Sequence, residues 1–359
     1  RAAQRLVDSG ASAAAHWSEA FQPPQAHLLI SLHADGRAEL TAMTAKLQAL
    51  DGAAGLTGWQ RPLDAAHLGR ERERRTEHFG FVDGVSRLPI RWTANDRDGD
   101  HVLGSFLLGH PNDAGVDLWR LAARPQLAAF LRDGSFGALR QMEQDVARFQ
   151  SFVQAQSQAL AASTDYVMAK LCGRWPNGMP IQPGQTTAPP VAGDPVTNDA
   201  FDFRADPRGE GCPFGAHIRR MNPRADPIVP SSRRRPLIRR GMPYGPAYVP
   251  GEPSPPKEPR GLLGLFFCAS LEDQFEHLLA EWGDLNPMGP DNRGRARDPL
   301  IGQHNGDGSR LEVPMAGAPS RWIGGLQTFT TTRGTLYAFY PGAQGLAALP
   351  GLLGGAGAQ

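Results

Sequence analysis

Prolines constrain this chain more than any other residue type, because each one fixes its own φ, lacks a backbone donor and interrupts helices and central strands. Six fall between Trp175 and Asn198 (Pro176, Pro180, Pro183, Pro189, Pro190 and Pro195), in a stretch too long for a plain connector. Seven more lie between Gly241 and Arg260. With 359 residues there is chain enough for two packed units. The first proline-rich stretch is the natural seam, so residues 1–175 are expected to form an N-terminal unit and 176–359 a C-terminal one.

Between the prolines, short apolar runs alternate with helical spacings. Residues 27–33 (HLLISLH) read as a buried strand, followed by Leu40, Met43 and Leu47 at helical intervals. Residues 102–110 read as a strand with a glycine kink. From Ala138 onward Leu139, Met142, Val146, Phe149 and Val153 fall on one helical face. The run GLLGLFFC at 261–268 predicts a strand, and Ser270 then caps a helix carrying Leu271, Phe275, Leu278, Leu279 and Trp282. Two strand-like runs at 326–341 surround an expected turn at Arg333 and Gly334. No GxGxxG follows a strand, so neither a dinucleotide-binding nor a P-loop architecture is supported. An α+β fold with antiparallel sheets fits the mixed order.

Composition removes several functional classes. The 37 basic and 36 acidic side chains nearly cancel, which argues against a nucleic-acid binder. The three cysteines are too scattered for a disulfide framework and form no CxxC pair. No apolar run is long enough to span a bilayer. These features, with the absence of a leader in a sequence that opens on Arg1, lead to the expectation of a cytoplasmic protein without membrane association.

Three groups of residues can carry chemistry. Asp83 sits in Gly80-Phe81-Val82-Asp83-Gly84, where the glycines let a flat ligand approach the backbone, although an ordinary Asp-Gly turn looks the same. His217 lies in CPFGAHIRRMNPR, and a single histidine is most often structural. The run Arg233, Arg234, Arg235, Arg239 and Arg240 reads first as a solvated basic face, but Leu237 and Ile238 interrupt it. Strand neighbours alternate sides, so one of Arg239 and Arg240 should point inward and need an anionic partner. A carboxylate, an imidazole and an inward arginine are the minimum set for splitting a peroxide on haem iron.

At this point the sequence resembles the dye-decolourising peroxidases, in their larger bacterial and fungal-like branch. EHFGFVDGVS at 77–86 resembles the family's GxxDG segment, CPFGAHIRRMNPR at 212–224 its proximal-histidine segment, and PLIRRGMPYG at 236–245 its distal-arginine segment. SFGALRQMEQDVARF at 135–149, VMAKLCGRWPNG at 167–178, GLLGLFFCASLEDQFE at 261–276 and DPLIGQ at 298–303 are similar to further stretches of it.

The resemblance implies two ferredoxin-like α+β units with antiparallel sheets and covering helices, the N-terminal one incomplete because its first strands are not recognisable. It implies one haem b per chain, with His217 as the axial iron ligand and Asp298 as the carboxylate that accepts its other ring N–H. Asp83 becomes the distal acid and base, and Arg239 the distal arginine. Phe81, Gly84, Val85 and Ser86 would line the haem pocket, Arg220 would pair with a propionate, and Leu265 and Phe267 would form the apolar distal wall. The implied reaction reduces hydrogen peroxide and oxidises dyes, phenols or other organic donors. Bulky donors would need an electron relay through aromatic residues near the surface, for which Tyr244, Tyr248, Tyr337, Tyr340 and Trp175 are candidates. A haem-binding carrier or sensor without peroxide turnover is the main alternative, a truncated relative that survives only with a partner is another, and homo-oligomerisation stays open.

Overall fold

The apolar run predicted at 261–268 is a strand in the computed structural model, and the sheet grows outward from it. The structure describes residues 5–6, 8–22, 27–50, 64–66, 76–86, 88–92, 101–191, 199, 201–229, 235–284, 297–304, 306 and 308–354. The elements in chain order are α1 (Arg37–Gln48), β1 (Ile90–Arg91), β2 (His101–Val102), α2 (Pro125–Leu131), β3 (Ser135–Gln144), α3 (Val146–Leu160), α4 (Thr164–Cys172) and α5 (His217–Met221). There follow β4 (Ile238–Tyr244), β5 (Gly261–Cys268), two π-helical stretches (Leu271–Glu276 and Leu278–Gly283), β6 (Leu311–Met315), β7 (Ala318–Ile323), β8 (Thr330–Tyr340) and α6 (Ala343–Gly354).

Four strands pair antiparallel in the order β4-β5-β3-β8. In sequence terms this is strand, helices, two strands, helix, strand, with the third strand inserted between the first two: a complete ferredoxin-like unit. The α+β class expected from sequence is therefore the class observed. The seam at 175/176 does not divide the sheet, however, because β3 from the first half lies at its centre between β5 and β8. The helical reading from Ala138 explains the difference. Leu139 and Met142 belong to β3, whose two faces are both covered, and only from Val146 does the spacing describe a helix, started by Asp145 accepting from Arg148 N at 3.1 Å.

Other expectations shift for similar local reasons. Residues 27–33 are not a strand and have no ladder partner among the described residues; they line the cavity described below. In 102–110 only Val102 pairs, because the Asp113 carboxylate takes both Val102 N (3.0 Å) and the His101 ring (2.7 Å) and curls the segment into turns. Arg333 is a bulge inside one continuous β8 and not a turn: the register steps there, and its guanidinium grips Glu143 at 3.0 and 3.2 Å. Strand β4 enters the second proline-rich stretch, which its place at the sheet edge permits for Pro243.

Helix α3 buries Val146, Phe149, Phe152, Val153 and Leu160 in a core that includes Phe79, Phe81 and Phe329. The helical stretches after Ser270, which caps by accepting from Asp273 N, cover the face of the sheet carrying Ala138 and Phe266. Residues 8–21 strap across β8 and β3: Asp8 pairs with Arg140 at 2.6 Å, Ser12 Oγ accepts from Thr332 N, and Ser18 N donates to Arg333 O. The three cysteines are buried and free of disulfides. Among the described residues no helix is long and apolar enough to cross a membrane.

Candidate active site

His217 is the first residue of α5, and the packing beneath it fixes where that helix starts. Helix α4 ends at Gly173 with φ +95°, and a Cβ there would stand 2.5 Å from Ile218 and 2.7 Å from Cys212, so glycine alone lets the two helices meet. Arg219, fully buried, ties the loop around α5 together by donating to Asp226 (2.7 Å), Asp206 (3.1 Å) and Cys212 O (2.7 Å).

The His217 ring is held from one side. Its Nδ1 donates to Oδ2 of Asp298 at 2.9 Å, while Oδ1 of Asp298 accepts from Leu300 N and Ile301 N. Burial opposes ionisation of Asp298, but the charge and hydrogen bond of His217 together with the charge of Arg220 outweigh it and hold the carboxyl below its ordinary pKa. Nε2 has no hydrogen-bond partner among the described residues, and the side chain lines a cavity of about 1430 Å³.

Asp83, Arg239, Phe81, Gly84, Val85 and Ser86 line the same cavity. Asp83 Oδ1 accepts from Gly84 N at 2.7 Å, and a Cβ on Gly241 would stand 3.3 Å from Oδ2, so the missing side chain of β4 makes room for the carboxylate. Register pairs Arg239 with Phe266 and Arg240 with Leu265, which puts the two arginines on opposite faces of the sheet, as alternation requires. Arg239 is exposed to the open cavity. The protein packed around it lowers its pKa from the ordinary value by desolvation, against the pull of the Asp83 charge.

Two expected pocket residues lie elsewhere. Arg220 does not line the cavity: it is fully buried and donates to Trp282 O (2.7 Å) and Gly283 O (3.2 Å). Phe267 does not line it either, because its ring packs edge-on against Tyr340 at 4.9 Å, and Leu265 contributes from the face that carries Arg240. On the Arg239 face β5 presents Leu262, Gly264 and Phe266. Of the expected relay residues, Trp175 and Tyr244 are buried at 0% and 3% exposure and cannot display a ring at the surface. Arg233 and Arg234 lie outside the described residues.

The sequence reading missed Arg174, Asp199 and Arg224. Both arginines line the cavity, pair with Asp199 and stack on Phe201, and Arg224 also donates to Ser86 Oγ at 2.8 Å. Arg224 was within reach, since it closes the quoted CPFGAHIRRMNPR segment.

This lining fits haem. The volume exceeds the roughly 300–1,000 Å³ of ordinary small-molecule sites, the walls are largely apolar, and a histidine with a carboxylate on its other nitrogen is the donor expected for an axial ligand. Among the described residues no cluster of three or more His, Cys, Asp or Glu side chains could hold a bare metal ion.

The chain is 30% identical to Peroxidase 2 of Mycetinis scorodonius over 94% of its own length and 68% of that protein, and 30% identical to the dye-decolorizing peroxidase of Exidia glandulosa over 91% and 65%. The chain belongs to the dye-decolorizing peroxidases. Solved structures of the family agree: a fungal peroxidase of this type from Auricularia auricula-judae superposes with a TM-score of 0.70 at 26% identity, covering 87% of this chain and 72% of that one. An ancestral D-type dye-decolorizing peroxidase gives 0.73 at 26% identity, covering 96% and 78%. No family model matches the chain. As a dye-decolorizing peroxidase it is a haem enzyme of the ferredoxin-like α+β class, and nothing among these relatives favours the carrier or sensor reading. It spans about two thirds of the length of the two fungal relatives.

Proposed function

We propose that the chain holds one haem b through His217 and reduces hydrogen peroxide at the expense of organic donors such as dyes and phenols, with Asp83 and Arg239 acting on the peroxide. The observation that carries this reading is the meeting in one cavity of three groups with separate tasks: an imidazole and a carboxylate that each keep one atom without a hydrogen-bond partner among the described residues, and a guanidinium exposed to the cavity. When bound, haem supplies the iron on which the O–O bond is broken and the electrons are exchanged.

Each side chain then has a defined part. Asp298 holds the proton on Nδ1 of His217, which leaves Nε2 as the electron-pair donor and makes it the stronger ligand. Asp83 Oδ1 is occupied by Gly84 N, so Oδ2 takes the proton from one peroxide oxygen and returns it to the other, turning the departing oxygen into water. Arg239, fixed on the edge strand, offsets the negative charge that develops as the bond lengthens. Arg224, which lines the cavity where Arg220 does not, would pair with a haem propionate in its place. A cytoplasmic location and a homo-oligomer complete the reading as its less specific parts.

The test is the absorption spectrum of the chain supplied with haem, before and after one equivalent of peroxide. A histidine-ligated ferric Soret band that changes on peroxide addition, and changes far more slowly in Asp83→Asn and Arg239→Leu, supports the proposal. A haem band indifferent to peroxide would restore the carrier reading.

A further inference from the structure

Glu77 opens the loop that ends on Asp83, and no step above uses it. Its side chain is 9% exposed, lines the cavity, and meets three donors: Oε2 accepts from Phe79 N at 3.0 Å and Gln144 Nε2 at 2.6 Å, and Oε1 accepts from Phe81 N at 3.0 Å. The backbone closes the same turn, Glu77 N donating to Phe81 O and Gly80 N to Glu77 O, both at 3.0 Å. Gln144 is the last residue of central strand β3, with its own N bonded to Arg260 O. One carboxylate thus joins the Asp83 loop to the middle of the sheet, while the rings of Phe79 and Phe81 rest on Phe149 of α3.

The chemistry of the three partners defines what the position requires. All of them donate, so the site needs acceptors at both ends of a planar group. A carboxamide offers one, and in either orientation its NH₂ faces a backbone N–H. Burial and the nearby Asp83 charge work against an ionised carboxyl here, and burial pushes its pKa up in spite of the three donors. Three donors converging on its two buried oxygens are the arrangement that an ionised carboxyl satisfies.

We propose that Glu77 is a positioning residue for the peroxide reaction: as a carboxylate it shapes residues 77–83 so that Asp83 is presented beside Gly241 and Arg239. This rests on the proton-transfer role given to Asp83 above.

The experiment measures the bimolecular rate constant with hydrogen peroxide for the haem-loaded chain, Glu77→Gln, Asp83→Asn and the double variant. The expected result is at least a tenfold loss for Glu77→Gln alone, shrinking to less than twofold when Asp83 is already Asn. Without haem, hydrogen exchange at Phe79 N and Phe81 N should accelerate in Glu77→Gln while the amides of β3 keep their protection. Should Glu77→Gln fail to fold, Gln144→Leu, which removes only the tether to the sheet, is expected to lose about threefold, again only when Asp83 is intact. Equal losses in both backgrounds, or no loss, would overturn the role of Glu77 while leaving Asp83 in place. An Asp83→Asn variant as fast as the parent chain would instead overturn the reading on which it depends.

Discussion

Asp298 gives one carboxylate oxygen to its own loop, through Leu300 N and Ile301 N, and the other to His217. Replacing it by Asn sets an NH₂ group against a donor in either orientation and removes the charge that favours the proton on Nδ1. Asp298→Asn is therefore expected to weaken haem affinity roughly 10–100-fold, the usual cost of losing such a partner, as read by titrating the haem-free chain with haem. How legible these residues were depended on what each one needs. The resemblance named His217, Asp83, Arg239 and Asp298, and the structure brings the first three to one cavity with Asp298 hydrogen-bonded to His217. Arg220 and Arg224 are four positions apart on one short segment, and sequence alone does not say which guanidinium turns to the carbonyls of Trp282 and Gly283 and which to the cavity. Leu265 and Phe267 were chosen as a pair on one side of a strand, which is correct, but only the β4–β5 register reveals that Arg239 shares its face with Phe266.

At the scale of the element, a continuous apolar run such as 261–268 admits one reading, whereas Leu139 and Met142 followed by Val146 and Phe149 suit both a strand that ends and a helix that begins. The capping contact of Asp145 decides between them, and it is a three-dimensional fact. Helix α4 holds Lys170 with its ammonium donating to Glu210 O and Gly211 O, and burial lowers its pKa to about 8. The folded chain thus loses this proton near pH 8 while the unfolded chain keeps it to the ordinary value near 10.5, so raising the pH across that window favours folding. The stability of the parent chain relative to Lys170→Met should rise from pH 8 to 10, as measured by urea unfolding at each pH. The N-terminal strap offers a second test. Asp8 and Arg140 are 2% and 7% exposed, and Asp8→Ala leaves a buried guanidinium with only hydroxyl partners, for an expected loss of about 3 kcal/mol in the same assay.

For the whole molecule, the central position of β3 makes the two halves interdependent. A fragment of residues 176–359 retains His217 and Arg239 but lacks the strand on which β5 and β8 both pair, so it is expected to show no cooperative thermal transition by circular dichroism. Proline content pointed to a seam, but β3 from its N-terminal side pairs with β5 and β8 from its C-terminal side, and pairing between distant strands leaves no mark on local composition. The edges of the same sheet carry a further consequence. Along β4, Pro243 offers no N–H, its carbonyl is taken by Ala66 N, and the next carbonyl, of Tyr244, meets the His78 ring. Along β8, Thr332 N and Arg333 O are already engaged by Ser12 and Ser18. A neighbouring molecule that tried to extend the sheet would have to displace these contacts at either margin. At these positions the margins of the four-stranded sheet are blunted against edge-to-edge polymerisation of crowded copies.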